Sequence, residues 1–287
     1  MYKIETLENG FEYIVIENEI AFGKIALQGA HLFEYRVKDK ENFLWLSKQS
    51  SFEKGSAIRG GIPLCWPRFG NLDRSLPQHG FARTSIFKLI EVKEINASLT
   101  EVHLQLKSNE ETEKIWPFRF TLELVFEIGE TLSISMKTIN HSPKEMFLTE
   151  AFHTYFHVSD IENISIDGLE DLVYIDTLTN ERKRQKGSVE IYQEIDRVYL
   201  ETLSPIILED QKRKIFIETK GCASTIVWNP WIQKCSQMSA MEPNAYRDFV
   251  CIESANAFDN AVTVASNKSH EIKVVYSDFF MNDGASR

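Results

Sequence analysis

An all-β fold, built as one large antiparallel sandwich or barrel, is what this sequence predicts. Three observations carry that reading: apolar and polar residues alternate along most of the chain, polar turns bound the alternating runs, and no long helical periodicity interrupts them. Phe11, Tyr13 and Val15 share one strand face. Val102, Leu104 and Leu106 make a second such row, Leu122, Leu124 and Phe126 a third, and Leu132, Ile134 and Met136 a fourth. Glu127-Ile-Gly-Glu-Thr131 joins the last two as a hairpin turn. Further along, Ile206–Leu208, Ile215–Ile217, Ser224–Trp228, Val262–Val264 and Ile272–Tyr276 are short β-branched runs between polar turns. Helical leaning is confined to Ser236–Arg247, where Pro243 restricts it to short turns. The basic cluster Glu181-Arg-Lys-Arg-Gln-Lys186 reads as a solvated hairpin tip.

With 287 residues and 43% hydrophobic content the chain can bury a large core. No Pro/Ser/Gly-rich linker, low-complexity tract or internal repeat divides it, so residues 1–280 read as a single domain and 281–287 as a frayed tail. The formal charge of −10 argues against nucleic acid or an anionic membrane surface as a partner. No apolar stretch approaches membrane-spanning length, and the first ten residues lack the pattern of a signal peptide. Cys65, Cys222, Cys235 and Cys251 are widely spaced with no CxxC pair, as reduced and mostly buried thiols of a cytoplasmic protein would be. Without a coiled-coil or apolar interface repeat, the expected state is a monomer.

The densest chemistry lies between Arg59 and Arg83. Arg59-Gly-Gly-Ile-Pro-Leu-Cys-Trp-Pro-Arg68-Phe-Gly and Leu76-Pro-Gln-His-Gly-Phe-Ala-Arg83 read as ordered loop, because Pro63, Pro67 and Pro77 lack donors and the glycines cost backbone entropy. Arginine grips phosphate or carboxylate bidentately, and Gly60-Gly61 would let backbone approach a ligand closely. In Glu150-Ala-Phe-His-Thr-Tyr-Phe-His157, a metal held by His153 and His157 would need a helix. Thr, Tyr and Phe favour a strand, over which four residues span roughly 13 Å, so no metal is expected. On that strand His153, Tyr155 and His157 share a face and Glu150 lies opposite. Glu253 ends an apolar run, where a carboxylate is costly unless paired or working; Asp196 alone is a weaker signal. Taken singly, the residues leave open a hydrogen-bonded core histidine and a carboxylate satisfied by backbone or by Arg59.

In combination these segments resemble the hexose-6-phosphate mutarotases, or glucose-6-phosphate 1-epimerases, of the aldose 1-epimerase superfamily. The resemblance rests on Arg-Gly-Gly-Ile-Pro at 59–63, Trp-Pro-x-Phe-Gly at 66–70, Gln-His-Gly-Phe-Ala-Arg at 78–83, His-Thr-Tyr-Phe at 153–156, Asp-Arg-Val-Tyr at 196–199, Val-Trp-Asn-Pro-Trp at 227–231 and Cys-Ile-Glu at 251–253. These stand in the family's order over essentially the whole chain. The resemblance implies a galactose mutarotase-like β-supersandwich with an open cleft for a pyranose. It implies His153 as general acid and Glu253 as general base, His79 and Asp196 as ligands of sugar hydroxyls, and Arg59, Arg83 and Gln78 as substrate contacts.

Anomer exchange needs a base for the C1 hydroxyl proton and an acid for the ring oxygen, so an imidazole and a carboxylate suffice, with no cofactor or metal. A charge-negative protein with clustered arginines also fits a phosphorylated hexose as substrate. Two other readings stay open at this point. A non-catalytic sugar-phosphate sensor could keep Arg59, Arg83 and Trp228, and a glycoside hydrolase could recruit Glu150 or Asp196 as a second carboxylate.

Overall fold

The computed structural model describes residues 1–71, 76–203, 205–211 and 213–280; the expected frayed tail at 281–287 lies outside them. Among the described residues two eight-stranded antiparallel sheets face one another, with a four-stranded sheet beside them. One large sheet runs, in spatial order, Ile164–Asp167, Ile206–Asp210, Arg213–Lys220, Ser269–Phe280, Leu132–Asn140, Phe120–Ile128, Leu99–Lys107 and Lys88–Asn96. The other runs Glu181–Arg184, Val173–Asp176, Ile195–Leu200, Ser224–Asn229, Phe249–Asn256, Glu150–Phe152 and Leu64–Cys65, with Tyr155–His157 also paired to Phe249–Asn256. The four N-terminal strands Tyr2–Thr6, Glu12–Glu17, Ala21–Ala26 and His31–Val37 form a meander, tied on by the Tyr35 hydroxyl donating to the Gly129 carbonyl at 2.7 Å.

The alternation in the sequence is the alternation of burial. Val102, Leu104, Leu124, Phe126, Ile134 and Met136 all point into one core, whereas the residues between them are half-exposed. Glu127–Thr131 makes the hairpin turn, with Ile128 facing Leu132 in register. Three polar pairs cross the core. The Thr154 and Tyr276 hydroxyls lie 2.6 Å apart, Trp66 Nε1 donates to Thr138 Oγ1 at 2.9 Å, and His270 Nε2 meets Glu150 Oε1 at 2.9 Å. Each gives a buried polar group a partner, as burial favours.

Four local expectations change. A helix occupies Glu110–Ile115, opened by a capping box between Asn109 and Thr112 and by acidic residues in its first turn. A second spans Trp231–Gln237, so helix begins before Ser236 and ends at Gln237, and beyond it the expected stretch coils again at Ala245–Arg247, as a 3₁₀ turn. Glu181–Arg184 is an edge strand rather than a hairpin tip. Its cations are engaged: Arg182 with Asp259, Lys183 with Asp176 and Glu181, and Arg184 with the Asp171 carbonyl. Residues 61–65, expected as loop, extend along the edge of the second sheet: Gly61 and Pro63 carbonyls accept from the Tyr155 and His153 amides, both at 2.9 Å, before Leu64–Cys65 pairs with Phe152 and Ala151. The glycine pair there serves chain packing. Gly60 and Gly61 have φ of +113° and +63°, and added Cβ atoms would strike the Trp45 and Leu32 carbonyls.

The Arg59–Gly61 turn is pinned by His31, which is 1% exposed and donates from Nε2 to the Gly60 carbonyl at 2.7 Å. Burial, offset in part by that bond, lowers its pKa from 6.5 to about 4. A lowered folded pKa means the stabilisation is complete above pH 6.5 and is lost as the pH falls toward 4, because the unfolded chain takes a proton the folded one refuses. Urea unfolding at pH 7 and pH 4.5 should therefore show His31→Gln losing less stability on acidification than the wild type, by roughly 2–3 kcal/mol. Identical acid losses in the two proteins would contradict this role.

Candidate active site

Strand register decides what meets at the centre of the second sheet. Glu150, Ala151 and Phe152 pair with Asn256, Ala255 and Ser254; Tyr155, Phe156 and His157 pair with Cys251, Val250 and Phe249. The same register holds on both sides of the break at residues 153–154, so His153 falls opposite Glu253. Directly opposed residues on adjacent antiparallel strands share a face and lie side by side. His153 Nε2 accordingly stands 3.5 Å from Glu253 Oε1, with Glu253 2% exposed and His153 9% exposed. Cys251 is also opposite Trp228, and Trp228 opposite Asp196, so a row across four strands brings Asp196, Trp228, Cys251 and Tyr155 to that face.

The imidazole sits among rings. Tyr155 stacks on it with centroids 4.9 Å apart and planes 8° from parallel, while His79 and Trp228 approach edge-on at 5.6 and 6.0 Å. Trp45 and Phe249 close the wall behind Tyr155. His79 comes from the Leu76–Arg83 turn at φ +61°, a turn that requires Gly80 next to it, since a Cβ there would run into the Trp66 carbonyl. The Gly70 amide donates to His79 Nδ1 at 3.3 Å and Cys65 Sγ lies 3.1 Å from the same nitrogen. Nδ1 is therefore the acceptor and the proton belongs on Nε2, with the Gln78 side-chain amide, 3.4 Å away, turned to present its oxygen to it. Arg83 clamps the turn by donating to the Gln78 carbonyl at 2.7 Å. Arg59 reaches the Tyr155 hydroxyl at 3.5 Å, its backbone held by Ser47 and Ser50.

Electrostatics follow from dryness and two cations. Burial first, then His79, Arg83 and Arg59, hold His153 well below the usual histidine range. Burial, Arg83 and Arg59 push His79 down to about 3. Burial and the neighbouring Asp196 charge push Glu253 well above the ordinary carboxylate range, and burial raises Asp196 as well. These directions favour neutral His153 beside protonated Glu253 over the imidazolium–carboxylate form. One proton is shared by the pair in either arrangement. Buried His153 Nδ1 and Glu253 Oε2 have no hydrogen-bond partner among the described residues.

All seven residues singled out in the sequence converge here: His153 and Glu253 in contact, His79 edge-on to His153, Gln78 beside His79, Arg83 on Gln78, Arg59 on Tyr155, and Asp196 in the cross-strand row. Glu150 lies on the opposite face, bonded to His270 and Asn256. Sequence reasoning missed Trp45, the Cys65 contact to His79 and the stack of Tyr155 on His153. Only the last had a signal, the two-residue spacing of His153 and Tyr155 on one strand face. No cluster of three or more His, Cys, Asp or Glu arranged to hold a metal ion occurs among the described residues.

Comparison with known proteins gives consistent similarities. The Aldose 1-epimerase family model matches residues 13–277. An Escherichia coli (strain K12) protein named "Putative glucose-6-phosphate 1-epimerase" is 34% identical over 264 residues, covering 90% of this chain and 88% of its own. A protein of the same name from Cenchrus ciliaris is 32% identical over 282 residues, 94% of this chain and 85% of its own. A Salmonella typhimurium crystal structure described as a "putative mutarotase" superposes with a TM-score of 0.91 at 30% identity, covering 98% of this chain and 94% of that one. The galactose 1-epimerase of Lactobacillus acidophilus NCFM shares the fold, with a TM-score of 0.73 at 14% identity over 98% of this chain and 99% of that one.

The His79 geometry yields a direct test. Between about pH 5 and pH 8 its ring should remain neutral with the proton on Nε2. Nitrogen-15 NMR should show a pyridine-type Nδ1 and a pyrrole-type Nε2 throughout that range. A ring that titrates near its ordinary pKa, or one that carries its proton on Nδ1, would contradict the arrangement.

Proposed function

The chain belongs to the aldose 1-epimerase family, and from that membership we propose that it interconverts the α and β anomers of a hexose 6-phosphate, glucose 6-phosphate foremost, with His153 and Glu253 moving the protons. The observation that carries this reading is the in-register His153–Glu253 pair at 3.5 Å, buried and ringed by His79, Asp196, Arg59 and Arg83. In the forward step Glu253 takes the proton of the C1 hydroxyl while His153 gives one to the ring oxygen. The C1–O5 bond breaks as the C1 carbonyl forms. After rotation about C1–C2, the O5 hydroxyl attacks the other face of C1, His153 recovers its proton and Glu253 returns the other. The pair begins and ends with one proton, so no external acid or base is consumed.

Phosphate preference follows from charge. In a chain of net charge −10, Arg59 and Arg83 form a local cationic rim, suited to a ligand bringing its own negative charge. A phosphate neutralising those arginines would remove part of what depresses His153 and draw the shared proton toward it, the state the ring-opening step uses. Asp196 and the Nε2–H of His79 would then orient sugar hydroxyls, and the aromatic wall would carry the apolar face of the pyranose. A glycoside hydrolase is disfavoured in one respect: Glu150, a candidate second carboxylate, is spent on His270 away from this face.

Anomer-exchange NMR tests the assignment. His153→Ala and Glu253→Gln should each lower mutarotation of glucose 6-phosphate by about 10²–10⁴ relative to wild type; folded variants with undiminished rates would refute it. For kcat/KM against pH a bell is expected, its acid limb below pH 6.5 because His153 is depressed and a second proton on the pair removes the base. The alkaline limb marks loss of the pair's single proton. Arg83→Ala should raise KM for glucose 6-phosphate by about tenfold or more and for glucose by under about threefold. Equal effects on both sugars would remove Arg83 from the phosphate site.

A further inference from the structure

We infer that Tyr155 is a positioning residue, its ring lying flat on His153 and fixing the plane of the imidazole; the inference rests on the proton-transfer role proposed above for His153. An imidazole on its Cβ turns through a broad, roughly two-fold torsional well, so something must choose its plane. The usual device is a hydrogen bond to the second ring nitrogen from a carboxylate or carbonyl. Here Nε2 faces Glu253, Nδ1 has no partner in hydrogen-bond geometry among the described residues, and the one backbone group acting on the ring is that of His153 itself. What lies against the ring is Tyr155, 8° from coplanar at 4.9 Å, while His79 and Trp228 touch its edges at 68° and 79°.

Tyr155 is itself held rigidly. It is 2% exposed, its amide donates to the Gly61 carbonyl and its carbonyl accepts from the Trp45 amide, both at 2.9 Å. The Trp45 ring stacks on its other side with centroids 5.7 Å apart and planes 25° from parallel, and Phe249 fills the flank at 5.3 Å. Trp45, Tyr155 and His153 thus form a three-ring ladder. A stack suits a group that must both give and take a proton at Nε2. A carboxylate on Nδ1 would favour the imidazolium strongly, whereas an aromatic face sets the plane with a much weaker preference between the two forms.

The test compares wild type, Tyr155→Phe, Tyr155→Leu and Tyr155→Met in glucose 6-phosphate mutarotation, with near-ultraviolet circular dichroism reporting the fold. Tyr155→Phe keeps the ring and loses only the long 3.5 Å contact to Arg59, so its kcat should stay within about threefold of wild type. Tyr155→Leu and Tyr155→Met should lose about tenfold or more in kcat with KM within about threefold. Their acid limb should move up toward pH 6.5 as water reaches the imidazole. The His153 ring protons should carry an upfield ring-current shift in wild type and Tyr155→Phe that vanishes in the aliphatic variants, a readout independent of activity. Folded aliphatic variants with wild-type kcat and pH profile would overturn the positioning role, as would Tyr155→Phe losing more than about tenfold, which stands even if the aliphatic variants fail to fold. A wild type without mutarotation above background would instead overturn the reaction on which the inference rests.

Discussion

The structure turns on one register. Because Glu150–Phe152 and Tyr155–His157 both pair with Phe249–Asn256 on a single, uninterrupted alignment, His153 is placed opposite Glu253 across adjacent strands. A slip of one residue would send His153 to the other face of the sheet and bring Thr154 in its place. Core contacts on the opposite face protect against that slip: Phe152 and Phe156 are fully buried, Thr154 bonds to Tyr276, and Glu150 bonds to His270 of the facing sheet. The groups that hold the register thus alternate along the strand with the groups that face the site. Two residues a hundred positions apart are brought into contact by ordinary sheet geometry, without a special loop to carry either.

Dryness gives the pair its character and carries a cost. Buried polar atoms at Glu253 Oε2 and His153 Nδ1 lack partners among the described residues, and leaving such groups unpaired is destabilising by about 1–3 kcal/mol each. Elsewhere in the core some polar groups are matched, Trp66 with Thr138 and Thr154 with Tyr276. In the site, that open hydrogen-bonding capacity lies where a hydroxyl-rich ligand would meet it. The arginines act on the same pair at longer range, disfavouring a charged imidazole.

Much of this was legible beforehand. Period-two rows such as Val102-Leu104-Leu106 and Leu132-Ile134-Met136 identify strands because burial on a two-sided sheet imposes that period, and the hairpin at Glu127–Thr131 is written in its turn residues. The site residues were legible as a set because several motifs stand in order along the chain. Other features were not. The helix at Glu110–Ile115 is one short turn and a half, too brief for an apolar stripe, and only its Asn109–Thr112 cap marks it. The prolines around Pro63 read as loop, yet a sheet edge tolerates a residue without a donor when its carbonyl is the partner required. Gly60 and Gly61 read as room for a ligand, whereas they make room for the Trp45 and Leu32 carbonyls, contacts distant in sequence. Protonation states were also hidden, because the pull of Asp196 on Glu253 and of Arg59 and Arg83 on His153 exists only after folding.

The claim at the centre is that an imidazole and a carboxyl, facing each other across two strands, work as one proton-carrying unit. A double-mutant cycle on mutarotation measures that unity most directly. If the unit is real, the protein lacking both groups should turn over no more slowly than whichever single variant is worse. Losses that simply multiply, each group contributing as though the other were absent, would contradict it.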